Sequence, residues 1–248
     1  MKSIALLTIA IATIALAVDG PERKPDEQLE KPAETVALKK TPIAGWGIAL
    51  DLAGDCTFTP ADGALKITVP GSDKPHDMST ELMSSTAPRV IQPLNGNFTI
   101  EVKIEADFDP GEVSTQAGRT GYTGAGLVVF ADANNYVRLE RATLSRGEAK
   151  PYTNFEIRVD GEVQRIGTTG DLPTEAGKPV WLRLQRQGNI LRGFMSQDGK
   201  TWKEGEPKEL LSEAWKGVPV FGGVAAISTS KKDFTPTYSG LSVQQGGK

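Results

Sequence analysis

Residues 155–167 read FEIRVDGEVQRIG, with apolar and polar side chains alternating from Phe155 up to an Asp-Gly pair. A period of two sets Phe155, Ile157 and Val159 on one face and Glu156, Arg158 and Asp160 on the other, the pattern of a strand with one buried and one polar side. Asp-Gly accepts the two consecutive left-handed conformations that a two-residue hairpin turn requires. The same texture runs from residue 43 to the end. ALKITVP follows Asp62-Gly63, and NFTIEVKIEADF follows Asn95-Gly96 and closes at Pro110-Gly111. GLVVFADANNYVRLERA folds around residues 132–135, and WLRLQRQGNILRGFMSQDGKTWKEG turns at Gln187-Gly188 and Asp198-Gly199. VPVFGGVAAIST and TYSGLSVQ end the series. Roughly a dozen short strands with regular turns predict an all-β sandwich or jelly roll of antiparallel sheets. Only residues 209–215 read as helical, and neither a βαβ rhythm nor an internal repeat is present.

The first 42 residues have a different character. MKSIALLTIAIATIALA has a basic start at Lys2, an apolar run over residues 4–16 and a small-x-small end at Ala15 and Ala17, the form of a secretory leader over residues 1–17. The run falls short of the roughly 20 apolar residues of a spanning helix, so no integral span is expected after cleavage. The next segment, 18–42, is rich in Pro, Glu and Lys and lacks aromatic residues, which predicts a disordered spacer. One domain is then expected over 43–245, secreted to the periplasm or outside the cell. A net charge of −3 offers no electrostatic basis for holding nucleic acid. The lone cysteine, Cys56, shares strand parity with Phe58 and is expected to be buried. One Cys and one His do not make a structural zinc framework, so no metal or other cofactor is expected.

Catalytic candidates are few. Glu105, Asp107 and Asp109 in VKIEADFDPGE share one strand face, spaced about 7 Å apart along the backbone. Two carboxyl groups so placed can approach the separation of about 5–5.5 Å that a retaining glycosidase uses. However, Asp109 abuts Pro110-Gly111, and Glu101 and Lys103 continue the same polar face, so a solvated strand explains the pattern. His76, next to Asp77 in GSDKPHDMST, is a candidate base or ligand, but no Gly-x-Ser-x-Gly elbow supplies a nucleophile. Asp107, Asp109 and Glu112 around the Pro-Gly turn offer oxygen ligands for calcium, without an EF-hand loop. GAGLVV leads into a strand rather than a helix, which removes the basis for phosphate binding.

What remains is a polar and aromatic face. Tyr136, Arg138, Glu140, Glu156, Arg158, Arg183 and Gln185 are expected on the outer sides of strands, with Tyr122 in the GRTGYTGAG loop as a rim aromatic. Aromatic rings stack on sugar faces and guanidinium or carboxylate groups bond hydroxyls, so this face is a candidate carbohydrate platform. Cross-strand ion pairing in water is the plainer account of the same residues.

GDCTFTPADGALKITVPG, His76-Asp77-Met78, APRVIQPLNGNFTIEVKI, GAGLVVFADANNYVRLERA, WLRLQRQGN and SQDGKTWKE together resemble a bacterial domain family named "regulation of enolase protein 1, concanavalin A-like". The resemblance implies a concanavalin A-like jelly-roll sandwich of two curved antiparallel sheets and carries no assured activity. The expected function is non-catalytic, lectin-like recognition of carbohydrate in the cell envelope or extracellular space, with a carbohydrate or envelope component as partner. The alternatives are a glycoside hydrolase acting on polysaccharide and an envelope protein-interaction module without a small ligand.

Overall fold

The computed structural model describes residues 40–79, 84–145, 150–165, 172, 174–216 and 220–246. All of these fall within one unit, Leu38–Lys248. The expected leader and all but the last three residues of the expected spacer lie outside the described residues.

A first hairpin joins β1 (Lys40–Ile43) to β2 (Gly47–Leu50), and a second joins β3 (Thr57–Ala61) to β4 (Ala64–Thr68). Two short strands, β5 (Met78–Ser79) and β6 (Ser84–Ser85), precede β7 (Arg89–Leu94) and β8 (Phe98–Glu105). The long strands β9 (Tyr122–Phe130), β10 (Tyr136–Leu144) and β11 (Lys150–Val159) follow, and β12 (Glu162–Arg165) turns back on β11. After β13 (Val180–Gln187) and β14 (Ile190–Ser196) come two-residue strands β15 (Lys203–Glu204) and β16 (Lys208–Glu209). The last two are β17 (Val220–Ser228) and β18 (Thr237–Gln245).

The strands form two large antiparallel sheets. One runs β1-β2-β7-β17-β9-β10-β11-β12, and the other runs β15-β14-β13-β8-β18-β4-β3, with β16 also on β14. The sheets face each other across a single apolar core. Ile100, Val102, Ile104, Leu182 and Leu184 from the second sheet meet Leu127, Val129, Val137, Leu139, Phe155 and Ile157 from the first. The Asp-Gly hairpin forms as expected, with φ of 52° at Asp160 and 82° at Gly161. The helix expected over 209–215 does not form: Lys208–Glu209 pairs with β14, and only Glu213–Trp215 makes a single 3-10 turn capped by Ser212. Seven residues are too few to nucleate a helix against the open edge of β14, which offers a ladder at once.

The two sheets differ in their outer faces. β8 and β13 alternate buried and half-exposed residues, as expected of a sheet with one wet side. β10 is instead buried at every position from Tyr136 to Thr143. The described residues 76–79 and 84–88 form a strap on the outer face of the first sheet, where Met78 and Ala87 join Val128, Tyr136, Ala225 and Ile227 in a second apolar cluster. His76 anchors this strap through paired backbone bonds with Ser228.

Candidate functional site

Alternation in β10 sends Tyr136, Arg138 and Glu140 to the outer face of the first sheet. Register with β11 sets Arg158 opposite Tyr136, Glu156 opposite Arg138 and Asn154 opposite Glu140. These side chains make one buried polar network. The Arg138 guanidinium donates to Glu156 Oε2, and Arg158 Nε donates to Glu156 Oε1 at 2.7 Å. Tyr136 Oη donates to the same Oε1 at 2.9 Å. On the other side, Tyr122 Oη and Asn154 Nδ2 donate to Glu140 Oε1 at 2.6 and 2.8 Å, and Arg138 Nη1 lies 3.6 Å from that oxygen. Arg138 is 8% exposed, and its buried Nε has no hydrogen-bond partner.

A pocket of about 400 Å³ opens above this network. Arg138, Tyr122 and Leu144 form its sheet side, Asp77 and Ser79 come from the strap, and Gln116, Gly118, Arg119 and Thr120 come from the loop before β9, with Thr229 completing the wall. Gln116 Nε2 donates to Asp77 Oδ2 at 2.9 Å, which ties strap to loop across the pocket.

The electrostatics separate the two network carboxylates. Burial raises the Glu140 carboxyl above its usual range, and the opposing pull of Arg138, Tyr122 and Asn154 does not cancel that. Burial also works against charge on Glu156, but Arg138 and Arg158 together hold it below its usual range. Burial likewise opposes the Arg138 cation, yet Glu140 and Glu156 keep its proton more firmly bound than in water. Burial and the Glu140 charge push the Tyr122 phenol well up, so it remains a hydrogen-bond donor.

The structure gathers Tyr122, Tyr136, Arg138, Glu140 and Arg158 from the expected platform but changes their roles. Tyr122 is not in a loop: it begins β9, and its hydroxyl is bonded to Glu140. Tyr136 is 2% exposed beneath the strap and presents no ring for stacking. Arg183 and Gln185 belong to a different surface, the outer face of the second sheet. There Arg183 pairs with Glu101 at 2.8 Å and lies 3.8 Å from the Trp202 ring. Both sheets alternate identically, so the sequence pattern carried no mark of which strands were neighbours.

Glu105 and Asp107 end β8 and its exit, both exposed, with Glu105 3.0 Å from Lys103. Nothing turns them toward a cleft. Glu105→Gln and Asp107→Asn are each expected to shift stability by no more than about 0.5 kcal/mol, read from urea midpoints. A larger loss would reveal a role that the exposed geometry does not provide. Of the acids considered for calcium, Asp109 accepts from Gly111 N at 2.9 Å and meets Lys232 Nζ at 2.5 Å, so a cation already sits on it. His76 does not act with Asp77: its Nε2 lies 2.7 Å from Asp55 Oδ1, while Asp77 joins the pocket wall. Cys56 is half-buried rather than buried.

Sequence reasoning missed Asp77, Gln116, Arg119 and Thr120 as wall residues. They lie in irregular chain, where periodicity gives no face, and only tertiary packing brings them together.

Two antiparallel sheets around one core, with a covered polar face on one of them, define a concanavalin A-like jelly-roll sandwich. Among solved structures, a functionally unknown protein from Saccharomyces cerevisiae is similar, with TM-score 0.58 and 16% identity over 77% of this chain and 93% of that one. The xylan beta-1,4-xylosidase of Bacillus halodurans C-125 aligns with TM-score 0.52 and 17% identity, over 77% of this chain and 34% of the enzyme. The GH43 protein BlXynB of Bacillus licheniformis aligns with TM-score 0.55 and 15% identity, over 80% and 37%. Identities this low establish likeness of fold alone, and the chain spans only about a third of the two Bacillus proteins. No curated protein sequence matches the chain. The chain belongs to the DUF1349 family, a family of unknown function, which it matches over residues 57–246.

Proposed function

We propose that the chain recognises a carbohydrate in the pocket above Arg138 and does not cleave it. The observation that carries this reading is the division of labour around the pocket. Its wall presents hydroxyl, amide and guanidinium groups from Ser79, Gln116, Arg119, Thr120 and Arg138, the donors and acceptors that sugar hydroxyls match. Its volume, about 400 Å³, falls within the range of small-ligand sites. Glu140 and Glu156 are engaged in holding Tyr122 and Arg138, and neither lines the pocket. Glycoside hydrolysis needs two carboxyl groups flanking the scissile bond, and among the described residues Asp77 is the single acid in the wall. The fold-level likeness to a xylosidase agrees with a sugar ligand, and the leader-like start agrees with export to where polysaccharides are met.

The runner-up is a glycoside hydrolase using Glu140 and Glu156 instead of Glu105 and Asp107. It is favoured by one feature: burial raises the first carboxyl, while two arginines lower the second, the split an acid and its partner require.

The test is a broad glycan array probed with the full chain, with and without calcium. Binding to one glycan class is expected, weakened at least about tenfold in Arg119→Ala and unchanged in Arg183→Ala, because only the first lines the pocket. A blank array, or equal loss in both variants, would overturn the reading and favour a protein partner. Release of reducing ends from the bound polysaccharide, abolished in a folded Glu140→Gln, would establish the hydrolase instead.

A further inference from the structure

The lone cysteine and lone histidine of the chain meet away from the sugar pocket. Cys56 follows Asp55 in the connection between β2 and β3, and His76 lies in the strap, bridged to Ser228 of β17 in the first sheet. Asp55 Oδ1 is 2.7 Å from His76 Nε2 and 3.7 Å from Cys56 Sγ, and one ligand atom from each of the three residues lies within 4.8 Å of the others. We propose that Asp55, Cys56 and His76 form a binding site for a divalent transition-metal ion, zinc above all, with a fourth position open to water.

The ligand set suits such an ion. One carboxylate oxygen, one sulfur and one imidazole nitrogen are a mixture that zinc accepts and that magnesium and calcium, which take oxygen ligands, do not. Tetrahedral coordination at ordinary zinc bond lengths separates neighbouring ligand atoms by about 3.3–3.6 Å. The pair at 2.7 Å must open by about 0.6 Å to admit the ion, a movement within the reach of side-chain rotation. The arms that carry the ligands are fixed already. Asp51 Oδ1 and Oδ2 accept the backbone N–H groups of Gly54 and Cys56 at 2.9 and 2.7 Å, which sets the turn. His76 is 1% exposed, and its backbone is held to Ser228 by bonds of 3.0 and 2.9 Å.

The local charge also favours a cation. Asp51 and Asp55 bring two carboxylates to this corner, and Lys74 Nζ, 3.5 Å from Asp55 Oδ2, leaves Oδ1 to the metal. A cavity of about 160 Å³, lined in part by Asp51, Gly54, Cys56 and Phe58, adjoins the thiol. It has room for the water that completes a site with three protein ligands. The strap carrying His76 continues into Asp77 of the sugar pocket, so a metal here would also brace that wall. The proposal does not depend on what the pocket binds.

The test begins with the full chain stripped by a chelator and titrated with cobalt(II). One ion per chain is expected, with a near-ultraviolet thiolate-to-cobalt absorption band that zinc(II) abolishes by displacement. Because the chain has a single cysteine, such a band can come only from Cys56. Cys56→Ser, at a half-buried position, should remove the band and weaken zinc(II) binding at least about tenfold, with Asp55→Asn weakening it similarly. Zinc(II) should raise the melting temperature of the native chain and leave that of Cys56→Ser unmoved. The absence of a thiolate band, or zinc(II) affinity in Cys56→Ser within twofold of the native chain, would overturn the proposal.

Discussion

Glu156→Ala is expected to lower the unfolding free energy by about 3–5 kcal/mol, the range for removing one partner of a buried ion pair. The carboxylate is 1% exposed and takes bonds from Arg138, Arg158 and Tyr136. Truncation strips the two guanidiniums of the acceptor they share and takes the summed formal charge of Arg138, Arg158, Glu140 and Glu156 from zero to one positive. Glu140 remains beside Arg138 at 3.6 Å, but burial already pushes that carboxyl toward its neutral form. The control is Glu101→Ala, which cuts the 2.8 Å pair with Arg183 on the other sheet. Both partners there are more than a quarter exposed, so water replaces the lost contact and the cost should be no more than about 1 kcal/mol. Urea unfolding of the two variants against the native chain gives both numbers. Equal costs would mean that water reaches the β10–β11 network and that the strap does not seal it.

That contrast also shows what the sequence could and could not convey. Arg158 and Arg183 read alike in the chain: each is a basic residue between apolar neighbours in a strand that alternates cleanly. The period of two gave the core faces correctly, because Phe155, Ile157, Leu182 and Leu184 are all buried in one cluster. It also gave the hairpin at Asp160-Gly161, because turn chemistry is local. It could not say that Arg158 would be covered and Arg183 left in water. Covering of that face involves the strap at residues 76–79 and 84–88, which packs on Tyr136 and is held by the bridge between His76 and Ser228, a contact between residues far apart in the chain. The short edge strands were missed for a related reason: two-residue ladders such as Lys203–Glu204 exist only because a neighbour offers free backbone groups. A count of Cys and His considers only two kinds of side chain. The count left out the carboxylate of Asp55, which folding places between the two.

The glycines of GAGLVV are the other local signal whose meaning came only with packing, and they yield the second large effect. Gly126 faces Glu140 across the β9–β10 pair, and a Cβ built on it would lie 2.1 Å from Leu139 O and 2.4 Å from Glu140 Cα. Those are backbone atoms and cannot step aside without parting the strands. Gly126→Ala should therefore cost about 3 kcal/mol, the upper end for overpacking a filled interior. Gly124 has different neighbours: its Cβ would meet Glu140 Oε2 at 2.7 Å and the Tyr122 ring and hydroxyl at 2.9 Å, all side-chain atoms. Gly124→Ala should cost less, about 1–2 kcal/mol, because rotation of those groups relieves the contact. That rotation breaks the Tyr122–Glu140 hydrogen bond and moves the pocket wall, so glycan binding should fall more than stability does. Urea unfolding and glycan binding measured on both variants separate the two effects. If Gly124→Ala bound sugar as tightly as the native chain, Tyr122 would not be part of the recognition surface, and the pocket would have to work through Arg119, Gln116 and the strap alone.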